Sequence, residues 1–397
     1  MIYVFTVFAA ILIYFSLRSL IGGFEYLRYF RRSLTETPHE FTPFASIIAP
    51  CRGVDQGMQE NFRALLTQDY PAYEVIFVVD SEKDPAVPLI ETAAAEFSNT
   101  RLVVAPPAVR SSQKVENLRE AVKYVSSGSK VFVFADSDAR PAASWLRGLV
   151  APLSDPAIGA STGYRWFISP ETTLASELRS VWNASVASNL GPDTRSNFCW
   201  GGAMAVTRKT FDDLEIREKW EGTLSDDFAL TRVMNDAGMP IVFVPAALTA
   251  SVEGCTFAEM LEFTTRQMKI TRVYAAPLWI LSFIGSGLYC TVMSAAVLIA
   301  ALYPRNGLLV WISLATLAIV SACSIGKAWL RLNAVRMALK DHRSEIGRQY
   351  WTQLTLWSLT PAIFLYNAAA ALFSRRLRWR GTLYQLKSHR ETVIITD

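Results

Sequence analysis

The 397-residue chain is 51% hydrophobic and 12% aromatic with a mean hydropathy of +0.22, too apolar for an ordinary soluble enzyme, so part of it is expected in lipid. Its 39 basic and 35 acidic residues leave a net charge of only +4, which gives no support to a nucleic-acid partner; the basic residues cluster beside apolar segments instead. Five cysteines without paired spacing and three scattered histidines indicate a reducing compartment and exclude structural zinc, a histidine-held metal and a Ser-His-Asp triad, leaving catalysis to carboxylates.

In chain order, residues 1–21 are apolar apart from Arg18 and are followed by Arg28, Arg31 and Arg32, which reads as a membrane anchor (1–23) with its carboxyl side in the cytoplasm. A cleaved signal peptide is the rival, but the charges follow the apolar core and no small-x-small cleavage site is evident. From Pro43 the pattern alternates: strand ASIIAP, helix MQENFRALLTQDYP, strand EVIFVVD, a helix through Leu89 to Phe97, strand RLVVAP, helix KVENLREAVKYV and strand VFVFAD. Such alternation implies a parallel, doubly wound sheet in a cytoplasmic domain spanning 40–274. Asp80 and Asp136 end two of these strands and therefore gather along one sheet edge, where open α/β sheets place ligands. Taken singly, each could equally be a turn or N-cap residue.

The pair Gly201-Gly202 allows either close backbone approach to a ligand or a tight bend. Ser225 reads as an N-cap with Asp226 and Asp227 in the first helical turn. In the helical stretch Phe257 to Tyr274, Arg266, Lys269 and Arg272 share one face and could meet lipid headgroups or a diphosphate. A membrane region over 275–373 follows, with apolar runs from Pro277 to Tyr303, to about Ile325 and from Trp351 to Phe373, and an interfacial helix at about 328–350. The last part, 374–397, reads as a basic tail. Three spans after a cytoplasmic domain would leave its arginines outside, so the Pro277 segment is expected to be re-entrant or interfacial. The Asn183 sequon is discounted for a cytoplasmic domain.

The ordered pieces SIIAPCRG, LLTQDYPAYEVIFVVDSEKDPA, QKVENL, ADSDARP, WGGAMAVTRK and SDDFALTR resemble the family 2 glycosyltransferases, within the membrane-bound ceramide glucosyltransferase-like and hopanoid glycosyltransferase-like group. The resemblance spans about Ala45 to Tyr274. It implies an α/β, GT-A Rossmann-like nucleotide-sugar domain with flanking transmembrane helices, and a metal-dependent, inverting hexosyltransferase. It further implies that a UDP-sugar is the donor, a lipid hydroxyl the acceptor, and Mg²⁺ or Mn²⁺ the cofactor. By position, Asp80 would contact the uracil with Asp84 as companion, Lys114 would lie near the nucleotide, and Asp136 and Asp138 form the D-x-D pair, with Asp138 on the metal. Asp227 matches the general base. Arg266 matches the first residue of the last motif, whose Arg-Trp is Lys269-Ile270 here, a departure that disfavours a ceramide acceptor and a processive polysaccharide synthase. The resemblance also implies an integral membrane protein of the bacterial inner membrane with a cytoplasmic catalytic domain. A catalytically silent scaffold of the same fold is disfavoured by the intact carboxylates, and a transporter would not explain the α/β block.

Overall fold

The computed structural model describes residues 2–36, 40–303 and 307–395; His39, Pro304, Arg305 and Asn306 lie outside them. Helix α1 (Ile2–Thr35) carries exposed Tyr3, Val7, Ile11 and Tyr14 along its first half. At 1.5 Å per residue its length exceeds a hydrocarbon core of about 30 Å, and its last turns leave that layer. There Tyr26, Leu27 and Phe30 are buried in the core of the following domain, and the Tyr29 hydroxyl donates to the Phe243 carbonyl.

That domain runs β1 (Ala45–Pro50), α2 (Met58–Leu66), β2 (Tyr73–Val79), α3 (Val87–Glu96), β3 (Thr100–Val104), α4 (Gln113–Ala121), β4 (Val131–Phe134), α5 (Trp145–Val150), β5 (Ala160–Ile168), α6 (Leu174–Ala187), β6 (Met204–Thr207), the short α7 (Arg208–Asp213) and α8 (Ile216–Lys219), α9 (Asp226–Asp236), β7 (Ile241–Val252) and α10 (Phe257–Tyr274). One seven-stranded sheet has the order β3-β2-β1-β4-β6-β5-β7. Strands β1 to β4 are parallel, as the alternation requires, while β6 runs antiparallel to both β4 and β5. Because successive strand side chains face opposite ways, Ile47 and Phe77 join the core on one face and Ile48, Ile76 and Val78 the core on the other. The sheet is thus covered on both faces, and its ligand edge is left to the loops.

Beyond α10, α11 (Ala276–Leu302) and α12 (Gly307–Ala338) are unbroken and, with α1, long and apolar enough to cross a membrane. The protein is integral to a membrane. Two expectations need correction. The Pro277 segment forms one continuous helix of 27 residues; the bent element is the last apolar stretch, where α14 (Tyr350–Thr355) and the turn after it meet α15 (Thr360–Phe373) at 56°. Pro361 supplies the break, because proline cannot continue the preceding helix. The interfacial helix expected at 328–350 is also not one helix. Lys327 to Ala338 continue α12, with Leu330, Leu332, Ala334 and Val335 buried against the domain, before a 3₁₀ turn and α13 (Arg343–Arg348).

The basic tail is likewise a folded element. Strands β8 (Arg376–Trp379), β9 (Thr382–Ser388) and β10 (Glu391–Ile395) form an antiparallel sheet whose Leu377, Tyr384 and Leu386 pack with Leu224 and Ile270 of the domain. Helices α1 and α12 run parallel, with Leu20 beside Gly326 and Gly23 beside Leu330. Both approach the domain at their carboxyl ends, so the domain and the C-terminal sheet lie at the same end of the helix bundle.

Candidate active site

The β4 strand ends at Phe134, and the loop beyond it presents Asp136 and Asp138 at the carboxyl edge of the sheet. Lys114, in the first turn of α4, bridges Asp136 at 2.8 Å and Asp226 at 3.1 Å. Arg165, from the middle of β5, reaches the same pair, contacting Asp136 at 2.9 Å and Asp138 at 3.2 Å. Burial alone would lower Lys114, but Asp136, Asp226 and Asp227 outweigh it and hold the ammonium charged far above neutral pH. Burial likewise works against the Asp136 carboxylate, yet Lys114 and Arg165 bring it below the usual range.

Asp226 is the opposite case. It is 2% exposed, one carboxylate oxygen has no hydrogen-bond partner, and burial, followed by Asp227 and Asp136, pushes it up to about 6 against the pull of Lys114. Gly201 permits this packing: a Cβ there would stand 2.5 Å from Asp226 and 2.6 Å from the Lys114 ammonium. Of the two readings for the glycine pair, close approach holds at Gly201, and what approaches is the ion-pair network.

Asp227 faces the cavity. Its Oδ2 accepts from the Gly201 N–H at 3.2 Å, and its Oδ1 accepts from the Phe228 N–H at 2.7 Å and from the Ser225 hydroxyl. Ser225 stands at the N-cap position but its side chain makes no capping bond to the backbone; it orients Asp227 instead. Three of about four acceptor positions on a carboxylate are filled, which fixes its direction.

A single cavity of about 1760 Å³ joins these groups to the membrane helices. Lys114, Asp136, Asp138, Asp226, Asp227 and Arg266 line it, and so do Phe15 of α1, Leu281 and Tyr289 of α11, and Phe364 of α15. The remaining sequence candidates lie elsewhere. Asp80 is at the same sheet edge but outside the cavity lining, pairing at 3.6 Å with Arg52, which does line it. Asp84 is buried and accepts from the N–H groups of Gly53 and Ala86, clamping the loop after β1. Lys269 points away and donates to the Arg376 carbonyl at 2.6 Å.

Sequence reasoning missed Arg165, Trp379 and Arg380. Arg165 carried no signal, being a single charged residue in a strand of mixed composition. Arg380 and Gly381 are the two central residues of the β8–β9 turn, both at positive φ (47° and 81°), the backbone of a type I′ hairpin. Arg380 reaches across to Asp55 with contacts of 2.6 and 2.7 Å, and burial notwithstanding, Asp55, Asp138 and Asp136 raise its pKa. The Arg266 guanidinium lies 5.4 Å from the Trp379 ring, and burial lowers its pKa to about 10. A hairpin from the chain's end therefore closes the sheet edge.

Among the described residues no group of three or more metal-ligating side chains occurs. Asp138 nevertheless has one buried carboxylate oxygen without a hydrogen-bond partner, on the cavity wall. That fits Mg²⁺ or Mn²⁺ held by a single carboxylate, with substrate phosphates completing the shell.

The model of Glycosyl transferase family 21 matches residues 6–392. The chain belongs to this family. The match bears out the resemblance to the ceramide glucosyltransferase-like group read from the sequence. This family 21 chain is 29% identical to a ceramide glucosyltransferase of Komagataella phaffii over 76 residues, 19% of the chain and 15% of that relative. It is 26% identical to an N-acetylglucosaminyltransferase of Rhizobium leguminosarum bv. viciae over 270 residues, 62% of the chain and 61% of the relative. It thus matches less than two thirds of the length of either. Among solved structures, a mannosyltransferase from Pyrobaculum calidifontis in complex with GDP-Man and Mn²⁺ aligns over 91% of this chain and 99% of its own at 18% identity and a TM-score of 0.47. A glucosyl-3-phosphoglycerate synthase from Mycobacterium tuberculosis with Mn²⁺ and UDP-glucose aligns over 58% and 78% at 16% identity and a TM-score of 0.37.

Proposed function

We propose that this family 21 glycosyltransferase transfers a sugar from a UDP-sugar to a lipid hydroxyl, with inversion, at the cytoplasmic face of a bacterial inner membrane. The observation that carries the lipid reading is the cavity: one space bounded by ionised side chains at the sheet edge and by apolar faces of α1, α11 and α15. A water-soluble acceptor would need no such wall.

In the mechanism, the acceptor hydroxyl rests against Asp227, whose carboxylate takes its proton as the oxygen attacks the anomeric carbon and the bond to the diphosphate breaks. Ser225, Gly201 and Phe228 keep Asp227 aimed at that oxygen. Asp138 would hold the divalent cation, which when bound supplies charge to the leaving diphosphate. Arg266 and Arg380 add fixed positive charge on the same side, and Lys114 holds Asp136 in place for the ribose. Asp80 is assigned to the uracil rim, Asp84 to shaping the adjoining loop, and Lys269 to anchoring the C-terminal sheet.

The orientation follows from charge. Arg28, Arg31 and Arg32, the basic residues after Gly326 and the arginines from 375 to 380 all lie at the domain end of the bundle, the end the positive-inside rule assigns to the cytoplasm. In this division, α1 is the anchor, 40–274 the catalytic domain and 275–373 the membrane region, with 376–395 added to the catalytic unit. Membranes carrying the protein, given a panel of labelled UDP- and GDP-sugars with Mn²⁺, are expected to place label in a lipid from one UDP-sugar. Label from a GDP-sugar alone would refute the donor assignment, and label in polymer alone the acceptor assignment.

A further inference from the structure

The membrane half of the cavity holds two cations that sugar transfer does not use. Lys327 and Arg331, one turn apart on α12, both line it. Lys327 donates to the Ser19 hydroxyl at 2.8 Å. Arg331, 5% exposed, donates to the Ser188 hydroxyl at 3.3 Å and to the Gln353 side-chain oxygen at 3.2 Å. Its Nε–H is buried without any acceptor. Among the described residues neither cation has a carboxylate within 4 Å.

One buried and one half-buried positive charge satisfied only by neutral groups are costly, and a buried charge is ordinarily paired. The Ser188 contact places the guanidinium at the carboxyl end of α6, where the helix dipole offsets part of one charge. It leaves Lys327 and the Arg331 Nε–H unanswered.

Depth narrows the missing partner. Lys327 lies twenty residues beyond Gly307 on an unbroken helix, about 30 Å along its axis, the thickness of a hydrocarbon core. The pair therefore sits at headgroup level on the domain side. It faces inward, toward the cavity, not outward to bulk lipid. We infer that Lys327 and Arg331 form a binding site for the phosphate of a lipid that enters the cavity from the membrane. A planar guanidinium beside an ammonium offers convergent donors to a tetrahedral oxyanion. The lipid tails would then lie along α1 and α11. This inference rests on the cavity and its charges, and stands whichever sugar or acceptor the enzyme uses.

The test uses the full-length protein in uncharged detergent, with dioctanoyl phosphatidate as probe, dioctanoylglycerol as the same tails without phosphate, and inorganic phosphate as the headgroup without tails. Saturable binding of phosphatidate, followed by native mass spectrometry, is expected, with at least tenfold weaker binding of dioctanoylglycerol and no displacement by equimolar inorganic phosphate. Lys327→Gln is expected to weaken phosphatidate at least tenfold, and Lys327→Arg to retain it, which separates loss of charge from loss of fold. Equal binding of phosphatidate and dioctanoylglycerol, or undiminished binding to Lys327→Gln, would overturn the phosphate site. Displacement by inorganic phosphate would overturn its lipid character. Sugar transfer measured on the same preparations reports separately on the catalytic reading.

Discussion

Asp226 and Asp227 are adjacent carboxylates with opposite environments. Asp227 meets the cavity with its oxygens already committed to donors, whereas Asp226 is sealed behind Gly201 and paired with Lys114. Since its folded pKa is raised to about 6, ionising Asp226 is harder in the native protein than in the unfolded chain. Its contribution favours the fold below the unfolded value near 4 and is lost as pH rises through 6. Function has the reverse demand, because the Lys114 bridge to Asp226 needs the ionised form. We expect kcat/KM to fall as pH drops below about 6, and Asp226→Asn to remove that limb of the profile; an unchanged acid limb in the variant would assign it to another group. Arg380 gives a second expectation at this scale. Arg380→Ala should lower kcat/KM for the donor by about 10²-fold, with Arg380→Lys recovering part of it. Asp55→Asn, which removes the pairing charge and keeps an acceptor for the Ser137 hydroxyl, should cost much less; equal losses in steady-state assays would make Arg380 a structural anchor.

At the scale of elements, the strands were legible because each is a short apolar run stopped by turn chemistry, and β1 matches the ASIIAP stretch residue for residue. Parallel topology implied a carboxyl edge shared by Asp80 and Asp136, whereas Lys114 entered only through the resemblance. The C-terminal sheet was not read, although Leu377, Trp379 and the Gly381 turn carry the alternation of a hairpin, because the arginines of that stretch dominate its composition. The end of α12 was misread for a related reason: its basic residues look interfacial, but Leu330 and Val335 pack on the domain, a contact between distant segments. The unread sheet bears on Ile270. The isoleucine in place of an expected tryptophan is 5% exposed beneath Leu377, Tyr384 and Leu386, so a sheet supplied from elsewhere fills the space an indole would need. Ile270→Trp should therefore overpack this contact and destabilise the protein by about 1–3 kcal/mol, seen as a lower thermal midpoint in detergent. A stability equal to or above wild type would show that the space is free.

For the whole molecule, the parallel course of α1 and α12 and the bend at Pro361 bring the N-terminal anchor, the sheet edge and the C-terminal hairpin to one end. The site is consequently built from parts more than 300 residues apart, as in the Arg380 to Asp55 pair. Its cavity runs from the sheet edge to the apolar helices, which on the proposed function puts donor chemistry and acceptor supply in one space. Composition and apolar runs disclosed the membrane and the α/β block, but no single-chain pattern could disclose that shared space, which exists only after the segments dock. The most direct test of the account is lipid labelling from the productive UDP-sugar by wild type and Asp227→Asn, with donor binding measured in parallel. The account predicts labelled lipid from wild type, about 10²- to 10⁴-fold slower labelling by the variant, and unchanged donor affinity; labelling by Asp227→Asn at the wild-type rate would contradict it.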